Sequence, residues 1–254
     1  MNIKNVIHRC SAYMRSSFGS KRREYHDNPW QEKQNDFMRN CFIKHAVAIK
    51  GVLHVGAHLG EEYPLYQQAG AKKIVFFEPM PDFFKELARR LQGHHDVELL
   101  NLALGSKIET REMHVNRGSG ESTSFLEPTA LYDGFFEEKT TPLRVVTLDS
   151  ILPSLPDHQN FNMLVTDTQG FDLEVLKGGK NTLMQIQYVY TEVSKGHYQG
   201  EPKLEDFDAF LAPFGFRRAE TSMYGSWKGE DQWGDMFYIK EGRGVHHPRV
   251  MLHV

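Results

Sequence analysis

Gly51-Val52-Leu53-His54-Val55-Gly56-Ala57-His58-Leu59-Gly60-Glu61-Glu62 is the stretch that decides the fold. An apolar run leads into a turn with glycines at 56 and 60, and a helix start follows. Lys73-Ile74-Val75-Phe76-Phe77-Glu78-Pro79, about twenty residues on, is a second apolar run that ends in a carboxylate. Strand, glycine turn, helix, strand, acid is the order in which an open α/β sheet holds an adenosine-bearing ligand.

Outward from this stretch the pattern keeps alternating. Residues 61–69 read as a helix ended by Gly70, and residues 83–91 as a helix opened by Pro81-Asp82 and closed by Gly93. Residues 97–104 read as the third strand and its exit. The β-α-β-α-β order implies a parallel sheet with right-handed crossovers. Residues 109–115 alternate as an antiparallel strand does. Residues 116–141 form a long irregular segment, and its small polar part, residues 119–124 with Phe125 behind, is a candidate lid. Residues 143–148 read as a strand, with Asp149-Ser150 capping a short helix. A fourth core strand ends at Asp167, and a helix interrupted by Gly178-Gly179 follows it. Residues 188–193 are the fifth strand and residues 204–211 a helix. Residues 214–219 and 236–239 read as a last, antiparallel pair. Upstream, residues 30–49 show helical spacing of Phe37, Met38, Cys41, Phe42 and Val47, which predicts a helix over one edge of the sheet. The basic cluster Lys21-Arg22-Arg23 reads as a solvated face.

The 254-residue chain has a net charge of −3, and 40% of its residues are hydrophobic. That is enough for a packed core and gives no reason to expect nucleic-acid binding. The two cysteines, Cys10 and Cys41, have neither metal-site nor disulfide spacing. With no apolar window of membrane-spanning length, the chain is expected to be cytoplasmic, without a transmembrane segment. Its oligomeric state is not encoded in any motif.

The turn itself selects among adenosine ligands. It lacks the third glycine of a dinucleotide fingerprint, and Glu61 and Glu62 stand where a pyrophosphate would seat. Carboxylates there repel phosphate but suit a helix N-terminus. S-adenosylmethionine has no phosphate; it offers a sulfonium, an ammonium and a ribose diol. Glu78 is placed to accept hydrogen bonds from both ribose hydroxyls.

These blocks and several later ones resemble the FkbM-type S-adenosylmethionine-dependent methyltransferases. The matching residues include Val55-Gly56-Ala57-His58-Leu59-Gly60, Phe77-Glu78-Pro79, Ala103-Leu104-Gly105-Ser106, Thr147-Leu148-Asp149, Thr166-Asp167-Thr168-Gln169-Gly170-Phe171-Asp172 and Glu192-Val193-Ser194. Tyr198-Gln199-Gly200-Glu201-Pro202 and Trp233-Gly234-Asp235 extend the likeness to about residue 240. His58 and Gln169 depart from the commonest pattern, which has asparagine and glutamate there. The resemblance implies a Rossmann-like class I methyltransferase fold: a mostly parallel seven-stranded sheet, an antiparallel last strand and helices on both faces. It also implies a domain over residues 51–242, with a helical extension at 1–50 and a tail at 243–254. Methyl transfer to oxygen, most often a sugar hydroxyl of a glycan or natural product, is the implied activity. Other readings are a peptide, amine or lipid head-group acceptor, or a cofactor-binding protein without turnover.

Cofactor-contacting candidates are Gly56, Ala57, His58, Gly60, Glu78, Pro79, Ala103, Ser124 and Asp167. Methyl transfer to a hydroxyl needs in-line alignment and a base. Asp167, Glu192 and His197 are the catalytic candidates, at or just beyond the tips of the fourth and fifth strands. Gln169 is not a candidate base, no metal ligands are assigned, and a divalent cation is open but not indicated. Tyr132, Phe135, Phe136, Tyr198, Tyr224, Trp227 and Trp233 are aromatic candidates for stacking on sugar faces.

Overall fold

Phe77 pairs with Val55, and Val55 with Thr166, so the tips of three parallel strands lie side by side. The computed structural model describes residues 29–117, 120–132, 134–225 and 232–241. Helix α1 (Pro29–Lys44) precedes β1 (Gly51–Val55), α2 (Tyr63–Gln68), β2 (Lys73–Phe77), α3 (Pro81–Arg90), β3 (Val97–Leu100), β4 (Ala103–Leu104) and β5 (Glu109–Met113). Then come β6 (Thr141–Val146), α4 (Leu148–Ile151), β7 (Met163–Thr166), α5 (Asp172–Lys177), α6 (Lys180–Gln185) and β8 (Tyr188–Lys195). Helix α7 (Leu204–Leu211), β9 (Phe216–Gly225) and β10 (Gln232–Lys240) complete the order.

Seven strands form one sheet in the order β3-β2-β1-β7-β8-β10-β9. Pairing is parallel except along β10, which runs antiparallel to both β8 and β9. This is the mostly parallel sheet with one antiparallel strand that the resemblance implies.

Successive side chains of a strand point to opposite faces, and both faces are covered. Val52, Ile74, Phe76, Met163, Val165, Tyr190 and Phe237 pack on one side with Met38, Cys41 and Phe42 of α1. Leu53, Val55, Val75, Phe77, Leu164, Val189 and Met236 pack on the other. Helix α1 therefore lies on a face of the sheet and shares its core, rather than covering an edge. The edge-on contact of Phe42 with Phe237, at 6.5 Å between ring centres, helps to fix it there.

The run 97–104 divides at Asn101. Residues 97–100 stay in the main sheet, while β4 joins β6 and β5 in a separate three-stranded sheet. Asn101 marks the break by donating from Nδ2 to the Glu78 and Pro79 carbonyls at 2.8 and 3.0 Å. Thr147, not Asp149, caps α4. Asp149 instead accepts from the backbone N–H groups of Asn181 and Thr182 at 2.9 and 2.8 Å, capping α6. Lys21-Arg22-Arg23, Cys10, Ser119, Trp227 and the tail from 243 lie outside the described residues. Among the described residues no helix is long and apolar enough to cross a membrane.

Candidate active site

The C-terminal tips of β1, β2, β7 and β8 open into a cavity of about 580 Å³. At the switch between β1 and β7 the strand order reverses, which is where open α/β sheets bind ligands. Gly56 makes the approach possible. Its φ is +84°, and a Cβ there would stand 1.8 Å from the Asp167 carbonyl oxygen. No other residue fits this contact.

His58, whose place in the turn the sequence leaves without a role, holds it shut. Its φ is +45°, and its backbone N–H donates to Glu78 Oε2 at 2.8 Å. Its ring lies 4.7 Å from that of Phe83, and Nδ1 is 3.2 Å from Glu61 Oε1. Burial pulls the imidazole pKa down, but the Glu61 hydrogen bond and charge outweigh it, so it ends above its ordinary value. Glu61 shows the converse: burial raises it, but His58, a backbone hydrogen bond and Arg90 together lower it more, and it stays below its ordinary value.

Glu78 is buried at the tip of β2. Oε1 accepts from the Met80 N–H at 2.8 Å, opposite the bond from His58. Burial pushes its pKa up to about 7 against these two bonds. Each carboxylate oxygen has a second lone pair, so a ribose diol can add to these bonds. Glu62 is not held as an ordinary ionised carboxylate. It accepts from Gln31 Nε2 of α1 at 2.9 Å, and burial, then the charge of Glu61, pushes it up to about 8.

The opposite wall carries the acids. Asp167 follows β7, and Glu192 lies on β8 with 6% of its surface exposed. Gln169, at φ +55°, donates from Nε2 to Asp167 Oδ1 at 2.8 Å and to Glu192 Oε2 at 2.9 Å. Burial raises the pKa of both acids, and the charge of Asp167 drives Glu192 well above the carboxylate range. His197 also lines the cavity, with Nδ1 3.0 Å from the Tyr132 hydroxyl. Behind them Asp235 is buried on β10 opposite Glu192 and accepts from Tyr190 and Tyr224 at 2.6 Å each.

Gly56, Ala57, His58, Glu78, Pro79, Ala103, Asp167, Glu192 and His197 thus meet at one cavity. Gly60 and Ser124 do not line it. A Cβ on Gly60 would meet Leu87 at 2.8 Å, so this glycine serves packing under α3. Ser124 is buried in the wall, where its hydroxyl donates to the Gln169 carbonyl at 2.6 Å. Residues 120–123 do line the cavity and close over Phe83; a Cβ at Gly120 would stand 1.9 Å from that ring. Of the aromatic candidates, Tyr132, Phe135, Tyr224 and Trp233 face the cavity, while Phe136 and Tyr198 do not.

Trp30, Gln31 and Gln34 of α1 complete the lining, and sequence reasoning missed them. Trp30 meets Trp233 edge-on at 5.2 Å. Only the aromatic itself, ahead of an amphipathic helix, could have signalled it. Gln169 was visible in its motif, but its two-sided bond was not.

Among the described residues no Lys or Arg lines the cavity. This donor set fits S-adenosylmethionine: Glu78 suits a ribose diol, the acidic surroundings suit a sulfonium and an ammonium, and nothing holds a pyrophosphate. Among the described residues no group of three or more His, Cys, Asp or Glu side chains is arranged to hold a metal ion. Fold and site together define a class I, S-adenosylmethionine-dependent methyltransferase.

The family model for the methyltransferase FkbM domain matches residues 54–218, and the chain belongs to that family. Among solved structures it is similar to the N-methyltransferase NodS from Bradyrhizobium japonicum WM9 in complex with S-adenosyl-L-homocysteine. The TM-score there is 0.52 and the identity 9%, over 95% of this chain and 100% of that one. It is also similar to magnesium protoporphyrin IX methyltransferase (ChlM) from Synechocystis PCC 6803 with bound S-adenosylhomocysteine. That match has a TM-score of 0.50 and 10% identity, over 93% of this chain and 95% of that one. At these identities the likeness is one of fold. No curated protein matches.

Proposed function

We propose that this methyltransferase acts on oxygen, transferring a methyl group to a hydroxyl of a sugar or glycan. The observation that carries the reading is the pair Asp167 and Glu192, buried together beside the cofactor turn and facing a rim of Trp30, Tyr132, Phe135, Tyr224 and Trp233. A hydroxyl needs a base before it becomes a good nucleophile, and a carboxylate with a raised pKa is suited to that work. Flat aromatic rings suit the apolar faces of a sugar.

S-adenosylmethionine, when bound, supplies an electrophilic methyl group, as its by-product in the NodS and ChlM structures suggests. Glu78 orients the ribose, and Gly56 lets the nucleoside approach the turn. Pro79 and Ala103, which line the same cavity, would help to hold the nucleoside. The Asp167–Glu192 pair would take the proton of an acceptor hydroxyl held beside it, while bound S-adenosylmethionine would supply the methyl group. His197, braced by Tyr132, borders the acceptor and is a second proton acceptor. Closure of residues 120–123 excludes water. We place the protein in a reducing, cytoplasmic setting, supported by the free, buried thiol of Cys41.

The test is release of S-adenosylhomocysteine against a panel of neutral sugars, glycans, amines, peptides and lipid head groups. The reading expects turnover with sugars and an alkali-stable methyl ether as product. Methylation confined to amines or peptides would overturn it, and binding without turnover on any acceptor would point to a non-catalytic protein.

A further inference from the structure

Gln169 is held more firmly than a turn residue needs to be. It occupies the left-handed region at φ +55°, and Gly170 follows at φ +86°. Non-glycine residues rarely stay there unless their surroundings impose it. Its carbonyl accepts from Ser124 at 2.6 Å. Its side-chain Oε1 lies 3.2 Å from the buried Tyr198 hydroxyl, whose nearer acceptor is the Ser122 carbonyl at 2.9 Å; the amide turns its N–H groups to the acids because the opposite orientation would set its oxygen against two carboxyls. A primary amide has two N–H donors. Nε2 spends one on Asp167 and one on Glu192, at 2.8 and 2.9 Å.

Two buried carboxyls this close cannot both ionise freely; the pair keeps one proton. Something must still stabilise the remaining negative charge. A bridging cation is one solution, and a bridging donor is another. Here the amide nitrogen lies within hydrogen-bond reach of both acids, in the space a bridging cation would need.

We propose that Gln169 is a positioning residue whose amide joins Asp167 and Glu192 into a base of one net negative charge and occupies the place between them, so that the pair works without a bridging cation. The base role rests on the function proposed above; the bridging role does not. Burial raises both carboxyls; the charge of Asp167 raises Glu192 further, whereas hydrogen bonds with Gln169 and Glu192 hold Asp167 down. Asp172 of α5, Asp235 of β10 and Glu121 of the loop add to the raising, and His58 of the turn opposes it.

The test uses the full chain with bound S-adenosylhomocysteine, carboxyl carbons labelled with ¹³C, as wild type, Q169E and Q169A. Nuclear magnetic resonance follows the pair through pH, and calorimetry measures Mn²⁺ binding. Melting temperature and S-adenosylhomocysteine affinity check that each variant is folded. In wild type the pair should take up a proton above the ordinary carboxylate range and should not bind Mn²⁺. Q169A, lacking both donors, should shift that titration upward by about one pH unit or more. Q169E adds a third carboxyl, should shift it further and should gain Mn²⁺ binding. The pH profile of methyl transfer should move with the titration, which a merely structural role would not do. A folded Q169A with an unchanged titration would overturn the proposal. So would wild-type Mn²⁺ binding that Glu192→Gln abolishes. Because the titration needs no acceptor, failure of the sugar reading leaves this result separate.

Discussion

Glu78→Gln should nearly abolish cofactor binding while leaving the fold intact. The carboxylate accepts from His58 and Met80 at 2.8 Å each, with only 5% of its surface exposed. An amide keeps one acceptor and turns an NH₂ group toward one of those N–H donors. The unmet donor costs about 1–3 kcal/mol, and the charged hydrogen bond lost to the ribose about 1.5–3 kcal/mol more. The sum, about 3 kcal/mol or above, is a loss of roughly 100-fold or more in affinity. Calorimetry with S-adenosylhomocysteine at about pH 8 measures it. The same residue sets a pH dependence. Its pKa in the free protein is pushed up to about 7, and a diol donates best to the ionised form. Wild-type affinity should therefore hold above pH 7 and fall roughly tenfold per pH unit below it. Glu78→Gln should bind weakly without that slope. If the variant binds within about threefold of wild type and the wild-type curve is flat between about pH 5.5 and 8, the ribose is not on Glu78 and the reasoning fails.

Gly56→Ala should destabilise the protein by about 2 kcal/mol or more, since a methyl group would meet the Asp167 carbonyl at 1.8 Å; thermal melting should drop by about 4–8 °C or beyond. Removing residues 1–50 should prevent folding, read by near-ultraviolet circular dichroism. It exposes partners of Met38, Cys41, Phe42 and Ile49, worth about 6–12 kcal/mol against a typical total of about 5–15. Asp235 should make stability fall with pH. Burial pushes its pKa up to about 7 in the folded chain, above its unfolded value near 4, so the folded state holds its proton more tightly. That advantage is full below about pH 4 and lost as pH rises to about 7. Asp235→Asn should flatten the decline in denaturant titrations over that window, while His54, held down to about 3 by burial, contributes equally to both proteins.

The parallel sheet was legible because its strands are short apolar runs between glycine or proline breaks, and their order left one topology. The turn side of the cavity was legible for a related reason. Gly56 and Glu78 take their places through backbone geometry and position at strand tips, which sequence spacing encodes. What spacing could not show was contact across elements. Trp30 reaches the cavity only because α1 lies on the sheet's face, and nothing local to residues 30–44 says which face. Asp149 reads as a cap for the helix it begins, yet it caps α6, more than thirty residues away in sequence. Ser124 reads as a lid hydroxyl, but a bond to Gln169 turns it into the wall. Gln169 looks like a loss of charge in its motif. Only the approach of β7 and β8 reveals that an amide can serve two acids at once.

The most direct measurement is a crystal structure of the full chain with S-adenosylhomocysteine. The account predicts both ribose hydroxyls within about 2.6–3.2 Å of the Glu78 carboxylate and the sulfur turned toward Asp167 and Glu192. A nucleoside seated away from Glu78, or a sulfur facing away from that pair, would contradict it.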